Sequence, residues 1–320
     1  MQYIHISHYA QTGNIEILDK PVPTPQPDEV LIKVKAVTVN DYEWTMVTGE
    51  PKLYRLMHGI FKPKNGLPGM EYAGVVESVG SQIKNFKPGD KVFGDTSDYF
   101  FGTFAEYICL REQAIFKMPS NATFAEATSL PHASMLAYQG LIKEGNIKEG
   151  QKILINGAGG GVGIFGVQIA KMYGAEVTGV DTAAKLDTMK NWGYDHVIDY
   201  KKIDFTKTGE QYDLILDARS TRNPSDYERA LLPGGVFVTV GGDLPKLIKI
   251  MFVNKFLGKK NLRMLALRPN QGLYQIVSWF EQGKLKTHID GPYPMEKSAD
   301  AILSFGKATH KGKVVITIDE

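Results

Sequence analysis

The chain has 320 residues, enough for two domains that each have their own core. With 43% hydrophobic residues, 22% charged residues and a net charge of +2, nothing in the balance calls for a nucleic-acid partner. The single cysteine, Cys109, excludes an intramolecular disulfide and a zinc site built from cysteines. We find no signal-peptide pattern and no run of roughly 18 apolar residues, so a cytoplasmic enzyme is predicted.

The first third of the chain is rich in short runs that are typical of β-strands. Alternating and β-branched residues fill 30–39 and 72–79, and further runs cover 91–94 and 103–110. Pro88-Gly89-Asp90 separates two of these runs, as a tight turn does. Because long helical patterns are few here, the sequence predicts a mostly antiparallel, barrel-like β-domain.

From about residue 120 onward the pattern changes to helices that alternate with strands. Helices are predicted at 120–130, 133–140, 186–192 and 225–232, and strands at 153–156, 177–181, 196–199, 214–217, 236–240 and 262–267. Alternation with short connections predicts an α/β fold with a doubly wound parallel sheet. A last strand, 312–318, follows the alternating section, and its position suits a return to the first domain.

A glycine-rich turn after the first strand of this section indicates dinucleotide binding. It consists of Gly157, Ala158, Gly159, Gly160, Gly161, Val162 and Gly163. Without side chains the backbone can approach a pyrophosphate, whose charge then meets the N–H groups at the start of the following helix. The next strand ends in Asp181, near the offset at which an acidic residue binds a ribose 2′-hydroxyl. Alternatively, Asp181 only caps the helix that begins near Thr182.

Five short motifs resemble one known superfamily. They are Gly-Met-Glu-Tyr-Ala-Gly-Val-Val at 69–76, Phe-Lys-Pro-Gly-Asp-Lys-Val at 86–92, Gly-Thr-Phe-Ala-Glu-Tyr at 102–107, His-Val-Ile-Asp-Tyr at 196–200 and Gly-Lys-Val-Val at 312–315. Together with the order of the domains they resemble the medium-chain dehydrogenase/reductase superfamily, within it the zinc-independent quinone oxidoreductase branch. The resemblance implies a GroES-like catalytic domain over 1–120, with 288–320 returning to it, and a Rossmann domain over 121–287. It also implies a homodimer.

The resemblance bears on metal binding as well. In zinc-dependent members of the superfamily the catalytic ligands fall at positions that correspond to Asn40, Met70 and a residue near His132. Asparagine and methionine are poor ligands for Zn²⁺, which needs three protein ligands in a catalytic site. We therefore predict no metal and interpret His132 as a histidine of the cleft or the core.

Without a Lewis acid, hydride transfer is easiest to an acceptor that is already conjugated. The resemblance therefore implies the reduction of quinones or α,β-unsaturated carbonyl compounds. Asn40 is predicted to contact the cofactor or the substrate, and Tyr42 either donates to a carbonyl oxygen or forms an apolar wall. The sequence names no general acid. The alternatives are a metal-free alcohol dehydrogenase-like enzyme and a dinucleotide-binding protein with little catalysis.

The choice between NADH and NADPH rests on three residues. Asp181 repels a 2′-phosphate and so favours NADH. Lys185 falls where NADPH-preferring relatives often carry a phosphate-binding lysine, and Tyr200 matches a family position near the adenosine phosphate. Alternatively, Lys185 is a solvated surface residue. On balance NAD(P)H is predicted, with a lean to NADH.

Two further segments have more than one interpretation. Residues 244–260 combine five lysines with many apolar residues, which is typical of a basic amphipathic helix at a membrane or a partner. We favour a segment of the cofactor domain whose apolar side roofs the cleft or is buried in a dimer and whose lysines face water, so a membrane surface is not expected. Residues 53–61 form either part of an apolar substrate pocket or a surface loop.

Overall fold

The computed structural model describes residues 1–10, 13–99 and 101–318, and of Met57 only the backbone. The strands are β1 Gln2–Ile6, β2 Ile15–Asp19, β3 Glu29–Val39, β4 Glu71–Val79, β5 Lys91–Asp95, β6 Tyr107–Arg111, β7 Phe116–Lys117, β8 Lys152–Asn156, β9 Glu176–Asp181, β10 His196–Asp199, β11 Tyr212–Asp217, β12 Leu231–Thr239, β13 Leu262–Met264, β14 Ile289–Pro294 and β15 Lys313–Thr317. The helices are α1 Asp41–Thr48, α2 Leu53–His58, α3 Phe124–Ser129, α4 Pro131–Tyr138, α5 Gly161–Met172, α6 Leu186–Asn191, α7 Pro224–Arg229, α8 Leu244–Phe256, α9 Leu273–Glu281 and α10 Ser298–Gly306.

The chain divides into two compact units, Met1–His132 with Ile289–Glu320, and Ala133–His288. Within the first unit, the described strands form a seven-stranded sheet of order β14-β15-β3-β4-β5-β7, with β6 on β3, besides the hairpin of β1 and β2. All its pairs are antiparallel except β14 with β15. The predicted antiparallel character is confirmed. The path of paired strands has two ends, however, so in the described part of the chain the sheet is not a closed barrel.

In the second unit, the described strands form a six-stranded parallel sheet of order β10-β9-β8-β11-β12-β13. This order has the crossover of a Rossmann sheet, and it confirms the predicted fold class. The central strand β8 buries four consecutive residues, as expected of a parallel strand that is covered on both faces. The alternation therefore predicted the sheet, although β13 is only three residues long and β12 begins earlier than expected.

The ends of neighbouring strands bring distant polar residues together in the first unit. Val39, the last residue of β3, pairs with Val314 next to the start of β15, and Val37 pairs with Tyr72 next to the start of β4. Residues 40, 71 and 313 therefore lie together at the same end of three adjacent strands, β3, β4 and β15. The same sheet carries the apolar core of this unit, which includes Val34, Val37 and Tyr72.

Candidate functional site: a dinucleotide turn and a buried polar network

The glycine turn joins β8 to α5 and is packed too closely for side chains at two positions. A Cβ on Gly163 would lie 2.1 Å from the carbonyl oxygen of Ala158, and one on Gly159 would lie 2.4 Å from Cδ of Lys185. The turn is also tied to the neighbouring strand, because the amides of Gly157 and Ala158 both donate to the carbonyl oxygen of Val180. Gly160 caps α5 without a side chain, which suits a site where a phosphate meets the first turn of the helix.

Asp181, Lys185 and Tyr200 meet at the carboxyl ends of β9 and β10. The Asp181 carboxylate accepts hydrogen bonds from the amides of Gly159 and Thr182, each 2.8 Å long. The Lys185 ammonium lies 3.8 Å from the same carboxylate, and both side chains are almost fully buried. Tyr200 donates its amide to the Asp181 carbonyl oxygen and exposes 46% of its surface. Lys185 is therefore not the solvated surface residue that the sequence left possible.

A buried polar network lies in the first unit, where β3 ends and β4 and β15 begin. The Lys313 ammonium donates to Oδ1 of Asn40 at 2.7 Å and to Oε2 of Glu71 at 2.6 Å. Asn40 Nδ2 and the Thr38 hydroxyl also donate to that oxygen of Glu71. Lys313 is 3% exposed and Glu71 is 0% exposed, so the pair has little contact with water. Both ends of the Asn40 amide are engaged, which holds it in one orientation.

The network includes a residue that the sequence analysis missed. Lys313 was noted only as part of the Gly-Lys-Val-Val motif at 312–315, and no role was predicted for it. Among the hydrogen bonds of the described residues it is the one cation in direct contact with Asn40. It lies 273 positions from its partner along the chain. The available signal was a lysine directly before three apolar residues of a buried strand, a place where a charge needs a partner.

His132 is held by two carboxylates of the same unit. Its Nδ1 lies 2.7 Å from Oδ2 of Asp95, and its backbone amide donates to Oε1 of Glu71 at 2.7 Å. Burial alone would raise the pKa of Asp95, but the attraction of His132 lowers it. Burial alone would lower the pKa of His132, but Asp95 raises it. His132 is thus an oriented partner of Asp95.

The three positions that correspond to zinc ligands have other partners. Asn40 is bound by Lys313, Met70 packs in the apolar core, and His132 is bound by Asp95. A cation at Asn40 and Glu71 is already supplied by the ammonium of Lys313. No group of three or more potential metal-ligating side chains is found among the residues that the structure describes. The donor set does not fit a zinc ion, and a metal-free reaction stays a prediction.

The same unit contains a cavity of about 440 Å³. Its lining consists of Tyr42, Met46, His58, Lys64, Asn65, Leu67, Ser97, Asp98 and Phe101. Tyr42 and Phe101 stack with their ring centres 3.9 Å apart, and the Tyr42 ring meets His58 edge-on at 5.7 Å. Burial and the neighbouring Glu43 raise the pKa of Tyr42, so its hydroxyl stays protonated. Among the described side chains of the segment 53–61, His58 alone lines the cavity, whereas Leu53, Leu56, Ile60 and Phe61 are exposed.

Glu43, on α1, is next to Asn40 of the network and is 0% exposed. Its Oε2 accepts the amide of Asn40, but Oε1 has no hydrogen-bond partner among the described residues. Burial raises the pKa of Glu43 from 4.5 to about 8. The folded chain thus holds this proton more tightly than the unfolded chain, so stability is lost as the pH rises from about 4.5 to about 8.

Glu43→Gln is therefore expected to become more stable relative to the parent as the pH rises from 5 to 8. The largest slope for one group is about 1.4 kcal/mol per pH unit. Urea unfolding of both proteins at several pH values measures this difference, from which the other titrating groups cancel. A difference that stays constant over this range would show that Glu43 is already ionised in the folded protein.

Sequence comparisons assign the chain to a family. The model of the alcohol dehydrogenase GroES-like domain matches residues 26–120, and that of the zinc-binding dehydrogenase matches residues 192–316. A quinone-oxidoreductase homolog from Spinacia oleracea is 32% identical and covers 99% of this chain and 98% of its own length. The chain belongs to the medium-chain dehydrogenase/reductase superfamily, in its quinone oxidoreductase branch. This dehydrogenase/reductase is therefore an oxidoreductase that uses a nicotinamide dinucleotide.

A second relative and one solved structure are also similar to this chain. The NADPH-dependent alkenal/one oxidoreductase of Arabidopsis thaliana is 30% identical, over 96% of this chain and 78% of its own length. The quinone oxidoreductase of Coxiella burnetii has the same fold, with a TM-score of 0.86 over 100% of this chain and 99% of that one, at 24% identity. Both plant relatives are described as chloroplastic, and a cytoplasmic location for this reductase stays a prediction.

Proposed function

We propose that this protein reduces quinones or α,β-unsaturated carbonyl compounds with NADPH. The proposal rests on the hydrogen bonds from the Lys313 ammonium to the side chains of Asn40 and Glu71. These residues do not fit a metal site. An acceptor that needs no Lewis acid must contain its own electron sink, and conjugated carbonyls do. The names of the relatives support this, because they include quinone and alkenal/one oxidoreductases. We place cofactor binding in 121–287 and acceptor binding in 1–120 with 288–320.

The residues of this chain would bind and orient the two reactants. The turn from Gly157 to Gly163 and the start of α5 would hold the pyrophosphate, and the bound dihydronicotinamide supplies the hydride. The aromatic wall of Tyr42 and Phe101 offers a flat surface to a planar acceptor. Asn40, fixed by Lys313 and Glu71, would contact the reactants with a single orientation of its amide.

Steady-state oxidation of NADPH and NADH with a panel of quinones and enones tests the proposal. We expect turnover with conjugated acceptors, none with saturated ketones, and no change after dialysis against a chelator. In the reverse assay, with NADP⁺ or NAD⁺ in place of the reduced cofactor, we expect no oxidation of primary alcohols. Faster oxidation of alcohols would favour the alcohol dehydrogenase-like alternative. Cofactor binding without any turnover would instead favour a dinucleotide-binding protein.

The preference for NADPH rests on the surroundings of Asp181. Its carboxylate is occupied by two backbone amides, and its charge is compensated by Lys185. A 2′-phosphate therefore meets less repulsion than Asp181 alone would cause, and Lys201 and Lys202 stand next to Tyr200 in the chain. These contacts favour NADPH over the NADH that the sequence alone suggested.

Lys185→Met should shift the choice of cofactor toward NADH. Removal of the ammonium leaves the charge of Asp181 unpaired beside a 2′-phosphate, so we expect KM for NADPH to rise by about tenfold or more and KM for NADH to change little. Steady-state kinetics with both cofactors measure the ratio. Lys190→Met, on an exposed lysine of α6, is the matched control. An equal loss with both cofactors would mean that Lys185 only supports the turn.

Tyr42 is expected to act as a wall of the cavity. Its ring, which stacks on Phe101, is retained in Tyr42→Phe, so we expect turnover to stay within about threefold of the parent. Tyr42→Ala removes the stack and should raise KM for the acceptor by about tenfold. A comparison of kcat and KM for the two variants decides between the roles. A large loss of kcat in Tyr42→Phe would make the hydroxyl a proton donor.

A further inference from the structure

Helix α8 presents apolar side chains to solvent. Ile248 is 54% exposed, Met251 49%, Phe252 53% and Phe256 65%. At 3.6 residues per turn these four lie within a sector of about 140° of the helix surface. On this helix, all of which is described, only Ile250 is fully buried. The helix buries Ile250 and packs Val253 against the core, and it also carries a second apolar face toward solvent, which an ordinary surface helix does not have.

The interpretation favoured from the sequence stays a prediction, because it covers the apolar side by the cleft or by a second copy of the chain. Its expectation that the lysines face water agrees with the exposure of Lys249, Lys255, Lys259 and Lys260. Within the unit that contains α8, Lys246 donates to Oδ1 of the exposed Asn223 at 3.0 Å, and Lys259, which is half exposed, pairs with Glu228 at 2.9 Å. Lys249 and Lys255 are exposed beside the apolar side chains, and the Lys255 ammonium lies 5.5 Å from the ring centre of Phe256.

The charge of this segment is all of one sign. Residues 244–260 contain five lysines and no acidic residue, whereas the whole chain has a net charge of +2, so the rest of the chain is net negative. Lysines around exposed aromatic side chains are complementary to a partner that has an apolar interior and negative charges at its surface. The interface of a bilayer with anionic lipids has this arrangement.

We propose that α8 docks this reductase on an anionic membrane surface. Phe252 and Phe256 would enter the boundary between headgroups and acyl chains, while Lys249 and Lys255 bind lipid phosphates. A second copy of the chain fits this face less well. A two-fold contact through α8 would bring its lysines against the same lysines of the partner, without acidic residues on the segment to compensate them. The inference is independent of the proposed reaction.

Co-sedimentation with vesicles tests the docking. The full chain is mixed with vesicles of phosphatidylcholine alone or of phosphatidylcholine with phosphatidylglycerol, at low and at high salt. We expect binding to the anionic vesicles that weakens with salt. The double variants Phe252→Ser with Phe256→Ser, and Lys249→Glu with Lys255→Glu, should each lower the partition coefficient by about tenfold or more.

Matched substitutions elsewhere separate docking from general surface effects. Tyr274→Ser removes another exposed aromatic ring of the same unit, and Lys190→Glu with Lys297→Glu reverses two exposed lysines. Both controls should bind vesicles like the parent. Circular dichroism and cofactor binding confirm that each variant is folded. If the variant of Phe252 and Phe256 does not fold, the variant of Lys249 and Lys255 tests the docking by itself.

Three results would overturn the proposal. The parent could fail to bind anionic vesicles at low salt, or the control variants could lose binding as strongly as the α8 variants. Light scattering could also show that the phenylalanine variant converts an oligomer to a monomer, in which case the occupant of this face is a second copy.

Discussion

Lys313→Met is expected to lower the free energy of unfolding by about 3–5 kcal/mol at neutral pH. The substitution keeps most of the side-chain volume but leaves the Glu71 carboxylate buried without its cation. Glu71 is fully buried, and the ammonium lies 2.6 Å from its Oε2. Water can therefore replace the lost cation only if the ends of the three strands around Glu71 separate. Urea denaturation followed by circular dichroism measures the change.

A double-mutant cycle shows whether the effect belongs to the pair. Glu71→Gln combined with Lys313→Met removes both charges and should cost less than the two single losses added together. Lys307→Met, an exposed lysine at the end of α10, is the matched control and should change stability by less than about 0.5 kcal/mol. If Lys313→Met is no worse than this control, the buried ion pair does not stabilise the fold.

Gly163→Ala is expected to weaken NADPH binding by about 100-fold or more. The new Cβ would lie 2.1 Å from the oxygen and 2.4 Å from the carbon of the Ala158 carbonyl group. Because these are backbone atoms, the turn itself has to move, and with it the amides that would meet the pyrophosphate. Fluorescence titration with NADPH gives the affinity, and urea unfolding gives the accompanying loss of stability.

Gly209→Ala separates affinity from stability. Gly209 has φ +87°, but a Cβ there meets no atom within 4 Å, so the variant carries only the cost of a left-handed backbone, about 1–2 kcal/mol. We expect it to bind NADPH like the parent. Binding of NADPH by Gly163→Ala with the parent affinity would show that the turn adapts, and that the glycine is needed for folding alone.

The glycine turn and the polar network differed in how far the sequence predicted them. The strand, turn and helix around Gly157 to Gly163 are contiguous, so their periodicity and glycine spacing predicted the turn directly. The positions of Asp181 and Lys185 followed from the spacing after the turn, but the occupation of the carboxylate by the amides of Gly159 and Thr182 did not. That contact depends on how the turn packs against the end of β9.

The network around Asn40 could not be derived from local pattern. Asn40 was predicted to contact cofactor or substrate, and this stays a prediction, but its partners Glu71 and Lys313 come from two other strands. A shift of one residue in either pairing would turn one of these side chains to the opposite face of the sheet. Register is decided by packing across the whole sheet, which no short segment encodes.

By itself, the sequence determined the two kinds of sheet, the glycine turn and the family. These follow from periodicities of two and 3.6 residues and from spacings within single segments. Only the tertiary structure decided that Lys313 supplies a cation to Asn40 and Glu71, and that α8 leaves Ile248, Met251, Phe252 and Phe256 exposed. Both depend on which surfaces distant segments cover, because burial and pairing are properties of the packed chain and not of a segment.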